Sequence, residues 1–134
     1  MVDNESKHDE NAPDTPPSIG IGRLIQAFGY SVDGLAGAWR TEGAFRQEVL
    51  FAVVLIPLSC FLEVTMLEHA LLIASVLLVM VVELLNSAME AAIDRISMDR
   101  HPLSKKAKDT GSAAVLVAVI VAIVVWGAIV VPLI

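Results

Sequence analysis

The chain has 134 residues, 56% of them hydrophobic and 18% charged, and its mean hydropathy of +0.72 is well above that of an ordinary soluble domain. The formal charge of -6 says little about partners, because residues 1–16 hold five acids and one lysine and so account for -4 of it; the rest is nearly neutral, and no nucleic-acid partner is expected. These values describe one small integral membrane domain, too thin to enclose a large polar site within a single subunit.

Residues 1–18, "MVDNESKHDENAPDTPPS", contain almost nothing apolar. Such a segment cannot repay the entropy of ordering itself, so it reads as a disordered acidic tail. It lacks the basic start and apolar core of a secretory leader. From Ile21 the pattern changes: Ile21, Leu24, Ile25, Phe28, Val32, Leu35 and Trp39 recur at three- and four-residue intervals, with Arg23, Gln26, Asp33 and Arg40 between them. The periodicity predicts an amphipathic helix over residues 20–40, suited to lie in the plane of a membrane surface. A core helix of a soluble domain would show the same pattern.

Three spanning segments follow, at about residues 45–62, 67–93 and 111–134. A helix needs about 20 predominantly apolar residues to cross the hydrocarbon. The third segment, "GSAAVLVAVIVAIVVWGAIVVPLI", satisfies this outright; the first is short and contains Pro57; the second reaches length only with its polar end included. Cys60, the single cysteine, stands in an apolar run and is expected to pack as a small hydrophobe. Arg23, Arg40 and Arg46 precede or enter the first span, "EVTMLEH" after it has no Lys or Arg, and five basic residues lie between Arg95 and Asp109. By the positive-inside rule the N-terminus and the second connection are cytoplasmic and the C-terminus is outside.

The second span ends in "VVELLNSAMEAAIDR". At 100° per residue Glu83, Asn86, Glu90 and Asp94 fall within an arc of about 80°, with Glu83 about 18 Å from Arg95 along the axis. An ionisable group at that depth costs about 2.5 to 3.5 kcal/mol and is usually retained for a reactive site or a proton pathway. The structural alternative is that Glu83 and Asn86 bond across helices in an oligomer, but one polar anchor would fix packing, and here an amide and a second acid share the arc. A carboxylate removed from water holds a proton more tightly, which suits Glu83 to take one from an alcohol. Glu90, nearer water, can ligate Mg²⁺, a hard cation that takes one or two carboxylates plus phosphate oxygens. Glu42 in "WRTEGAFRQE" can supply a second carboxylate, though alone it is equally a solvated loop acid.

The connection "DRHPLSKKAKDTGSAAV" adds His101, Lys108, Asp109 and Ser112. Its lysines have a routine explanation in topology and anionic lipid. Lys108 and Asp109, read as the start of a helix, would also offer a point charge and free backbone N–H groups to a phosphate. No G-x-x-x-x-G-K-S/T loop and no Gly-rich kinase loop occurs, so a nucleotide site here rests on neither of those folds.

"EGAFRQE", "VELLNSAMEAAIDRI" and "AKDTGSAAV", in that order on three spans behind a surface helix, closely resemble the prokaryotic diacylglycerol kinases over essentially all of residues 21–134. The resemblance implies an all-α homotrimer in the bacterial inner membrane that transfers the ATP γ-phosphate to the hydroxyl of diacylglycerol, with Mg²⁺, at sites shared between subunits. It places Glu83 as the base with Asn86 beside it, and Glu42 and Glu90 as metal ligands. Arg23, Tyr30, Asp99, Arg100, His101, Lys108 and Asp109, with those two carboxylates, fall where the family binds nucleotide; Arg46, Gln47, Glu48, Ser112 and Trp126, with Glu83, fall where it meets lipid. Gln26 departs from the pattern, standing where a lysine is expected. An undecaprenol kinase has the same arrangement with a polyprenol acceptor, and a small oligomeric proton-coupled transporter would also place an acid in a membrane helix.

Overall fold

A computed structural model of the chain describes residues 20–97 and 101–134. The acidic tail, Asp99 and Arg100 lie outside the described residues. Those described are helical apart from short connections: α1 is Ile21–Thr41, α2 Gly43–Cys60, α3 Met66–Ile96 and α4 Pro102–Val130, the last followed by a 3₁₀ turn at Val131–Leu133. Three of these, α2, α3 and α4 with its 3₁₀ extension, are long and apolar enough to cross a membrane.

Two compact units divide the chain after Asp33. In the first, the helix from Ile21 to Asp33 keeps every residue exposed, including Ile21, Leu24, Ile25 and Phe28. The second holds the last turns of α1 and the three long helices. α1 stops at Thr41, where Glu42 turns to extended backbone (φ -103°, ψ 115°) before α2 begins. Arg40 in its last turn complements the negative end of the helix dipole.

α3 is the central element, packing on α2 along one side and on α4 along another. Leu72, Ser75, Val76, Val79 and Glu83 are its buried residues. Taken at 100° per residue, they lie on the same face as Asn86, Glu90 and Asp94. The polar stripe is therefore the continuation of the packing seam, with Glu83 buried, Asn86 and Glu90 half-buried and Asp94 exposed. α2 contributes Phe45, Ala52 and Ser59 to the core, and α4 contributes Gly111 and Ala118. All but Phe45 are small and let the helices approach closely, as membrane helices must when hydrophobicity alone does not drive association.

Local sequence sets the ends. Thr65 and Glu68 form a reciprocal capping box at the start of α3: Thr65 Oγ1 accepts from the Glu68 backbone N–H at 3.3 Å, and the Thr65 N–H donates to Glu68 Oε2 at 2.7 Å. Thr65→Ala should lower stability by about 1 kcal/mol, the usual worth of such a cap, seen as a reduced thermal midpoint in detergent. Pro57 sits inside α2, and close to it Ser59 Oγ donates to the Ile56 carbonyl at 2.7 Å. Cys60 is exposed within the single chain, and its thiol donates to the Ile56 carbonyl at 3.6 Å.

The start of α4 differs from expectation. His101 is its N-cap, with Nδ1 accepting from the Leu103 N–H at 3.2 Å, and Pro102 occupies the first turn, where its missing N–H does no harm. The helix thus begins well ahead of the apolar run at about residue 111. Lys108 and Asp109 lie within it, their backbone N–H groups inside the helical ladder, so they offer no free N–H to a phosphate. Hydropathy marks where lipid begins; Lys and Ala, good helix formers, carry the helix on into water.

Much apolar surface stays uncovered. Only 6% of the most apolar stretch of α4 is buried, against 28% for α3. In one chain, lipid or other subunits must meet the rest.

Candidate active site at the polar end of the seam

Glu83 is only 5% exposed, held where α3 packs against its neighbours. Glu42 and Glu90 stand close enough to act on it electrostatically, and so does Glu48 of α2. Four acids from the α1–α2 junction, α2 and α3 therefore converge. Among the described residues the ion pairs are Lys105–Asp109 and Lys108–Asp94, so no cation pairs with any of the four. Unrelieved carboxylates in a partly buried setting are costly unless a cation or a reacting group completes them.

Asn86 is one turn beyond Glu83. Its Nδ2 donates to Glu90 Oε1 at 3.4 Å, while its Oδ1 is buried and accepts no hydrogen bond. Opposite it is Gly111 of α4, and a Cβ built there would overlap Asn86 Oδ1 and the Met89 methyl group. Farther along, Lys108 Nζ donates to Asp94 Oδ1 at 2.6 Å, tying α4 to the end of α3. Both groups are half-exposed, so this pair contributes little to stability. It does place one ammonium on the same edge as the acids. Asp109 is engaged by Lys105 one turn earlier on α4.

Toward the other end of the seam, α2, α3 and α4 border a half-open cavity of about 410 Å³. Phe51, Leu55, Val79 and Ile123 give it apolar walls, and Gln47 and Glu48 give it a polar edge. Glu83 follows Val79 by one helical turn, about 6 Å along the axis. Glu48 has an intermediate exposure with Oε2 buried and unpaired, so it presents an acceptor beside the cavity. Trp126 lies one turn past Ala122 on the wall-forming face of α4, with its Nε1 buried and unpaired.

The residues named from sequence are distributed accordingly. Glu42, Glu48, Glu83, Asn86 and Glu90 come together; Gln47 joins them through the cavity; Lys108 stands at the adjoining edge. His101 serves as a helix cap, and Arg46 and Ser112 are exposed. Arg23 and Tyr30 are exposed on the first unit. Sequence reasoning missed the Asp94–Lys108 pair and the Asn86–Gly111 approach. Asp94 was on the stripe and Lys108 was singled out, but nothing in the spacing sets them opposite each other.

Such an arrangement can hold an alcohol at a carboxylate and a polyanion at a cation. Glu42 and Glu90 are both partly exposed hard oxygen donors that act electrostatically on a third carboxylate, Glu83. Among the described residues no three His, Cys, Asp or Glu are grouped so as to hold a metal ion by themselves; Mg²⁺ in general takes one or two carboxylates, with waters and phosphate oxygens completing its shell.

A family model described as prokaryotic diacylglycerol kinase matches residues 29–130. The chain is 52% identical over 109 residues to the diacylglycerol kinase of Escherichia coli K12, covering 81% of this chain and 89% of that one. It is 56% identical over 110 residues to the diacylglycerol kinase of Pseudomonas aeruginosa, with 82% and 89% covered. Against the diacylglycerol kinase of Helicobacter pylori 26695 the identity is 46% over 112 residues, with 84% and 88% covered.

Proposed function

This chain belongs to the prokaryotic diacylglycerol kinase family, and from that premise we propose that it transfers the γ-phosphate of ATP to the hydroxyl of membrane diacylglycerol, releasing ADP and phosphatidic acid. One observation carries the reading to the site: an apolar cavity whose polar edge, at Glu48, stands beside buried Glu83. An apolar chain carrying one alcohol at its end fits that combination, whereas a proton-coupled transporter has no use for an apolar cavity beside a buried acid.

Glu83 accepts the hydroxyl proton as the alcohol oxygen attacks the γ-phosphorus and the bond to the ADP oxygen breaks. Phosphoryl transfer leaves little covalent work to a protein, so positioning and charge compensation dominate. Gln47 and Glu48 orient the glycerol end of the lipid. Asn86 holds the Glu90 carboxylate in register through its hydrogen bond. Lys108, drawn to the site edge by Asp94, supplies a positive charge to the phosphates. Glu42 and Glu90 would hold Mg²⁺, which when bound would supply the remaining charge neutralisation.

The membrane arrangement follows from the same reading. The acidic cluster and Lys108 face the cytoplasm, where ATP is, by the positive-inside rule. α1 lies at the membrane surface through its exposed apolar residues. The uncovered face of α4 is met by lipid and by other copies of the chain in a homotrimer.

An acceptor panel tests the assignment. In mixed micelles with ATP and Mg²⁺, phosphate transfer should proceed faster to diacylglycerol than to undecaprenol. A preference for undecaprenol reassigns the acceptor, and no transfer to any lipid alcohol sinks the kinase reading.

A further inference from the structure

We propose that Gly111 is a positioning residue that sets the amide of Asn86, and through it the Glu90 carboxylate, so that any side chain at residue 111 disturbs the metal-holding end of the site. The inference rests on the reading of Glu90 as a Mg²⁺ ligand. Three features of the α3–α4 seam carry it.

First, the space a Cβ would take at Gly111 is occupied by Asn86 Oδ1 and the Met89 methyl group. Second, that oxygen is buried and accepts no hydrogen bond, so at its oxygen end the amide is held by packing against Gly111 and not by a polar partner. Third, the other end of the same amide donates to Glu90 Oε1 at 3.4 Å. With the oxygen lodged against the glycine, the NH₂ group points along α3 toward Glu90. A methyl group at residue 111 pushes the amide away, and the rotation that relieves the overlap also takes Nδ2 off Glu90.

The remaining glycines with described surroundings show the contrast. Gly22, Gly29, Gly34, Gly37 and Gly127 have open space where a Cβ would go, and Gly43 meets only the far end of Arg46. Gly111 is also buried inside a regular helix, where alanine is ordinarily the better helix former. A glycine serving only helix geometry would be improved by alanine; one serving Asn86 would not.

The test is a double-mutant cycle on the full-length chain in mixed micelles, reading the Mg²⁺ concentration at half-maximal rate and, independently of turnover, the Mg²⁺ concentration at which added Mg²⁺ half-maximally raises the thermal midpoint. Gly111→Ala is expected to raise each concentration about 10-fold in the parent, and less than about 2-fold on an Asn86→Ala background, where the amide is already gone. Equal shifts in both backgrounds, or none in the parent, overturn the proposal. Gly111→Ala combined with Met89→Ala relieves the methyl overlap alone and should keep the shift; return to the parental value would assign the collision to Met89 and overturn it. If Gly111→Ala cannot be recovered folded, a folded Asn86→Ala/Gly111→Ala protein supports the collision with Asn86, and an unfolded one counts against it. Glu90→Gln is measured beside them. An unchanged Mg²⁺ requirement there removes Glu90 as a ligand, whereas a shifted one with Gly111→Ala unmoved sinks the positioning role alone.

Discussion

Replacing Glu83 with glutamine is expected to lower kcat by about 10²-fold or more while leaving the protein at least as resistant to heat as the parent. The rate loss follows from chemistry: a positioned general base typically contributes that much, and an amide of the same shape cannot take the hydroxyl proton. The stability gain follows from the site. Glu83 is 5% exposed, has three other acids within electrostatic reach and is in neither of the ion pairs among the described residues. Removing an uncompensated acid from such a place relieves repulsion and desolvation, and so raises or preserves the thermal midpoint. The two readouts together separate a base from a structural acid, because losing a packing residue lowers both. Turnover in saturating ATP, Mg²⁺ and diacylglycerol is the first measurement and thermal unfolding in the same detergent the second. Parental turnover in the variant would remove Glu83 from the role of base.

The helical periodicity of residues 83–94 made the polar stripe legible in sequence, because a 100° step places those residues on one face whatever surrounds them. Which way the face points was not legible. Leu72, Val76 and Val79 carry the same face into the core, but apolar residues surround the helix on every side there, so the sequence has no contrast from which to pick the packed face. The boundaries behave alike. Thr65 and Glu68 announce the start of α3 through their own side chains. The start of α4 was obscured because hydropathy tracks lipid, and "PLSKKAKDT" is a helix that is not apolar.

Contacts between helices were the least legible. Asp94 with Lys108 and Asn86 with Gly111 are separated along the chain by 14 and 25 residues, and their meeting depends on how the connection between α3 and α4 sets the register. No local propensity encodes that. Glu48 was identified only through resemblance, since an acid early in α2 looks like any residue at a membrane entrance. Its closeness to Glu83 is a product of packing.

The second large effect is expected from Glu90→Gln, which should raise the Mg²⁺ concentration at half-maximal rate by about 10-fold or more. Residues that only support a metal's ligands are worth 10- to 100-fold in affinity, so loss of a direct carboxylate should reach at least the lower figure. Glu90 is partly exposed and receives one hydrogen bond, from Asn86, which leaves oxygen lone pairs free for a cation. Glutamine keeps the length and one oxygen but not the charge. The deficit should therefore be one of affinity: at high Mg²⁺ kcat returns to within a few-fold of the parent. Glu83→Gln must behave oppositely, with no recovery at any Mg²⁺ concentration, because added cation cannot accept a proton. An Mg²⁺ titration of both variants beside the parent reads the distinction directly. An unchanged Mg²⁺ requirement in Glu90→Gln would show that this acid shapes the field around Glu83 without ligating the metal.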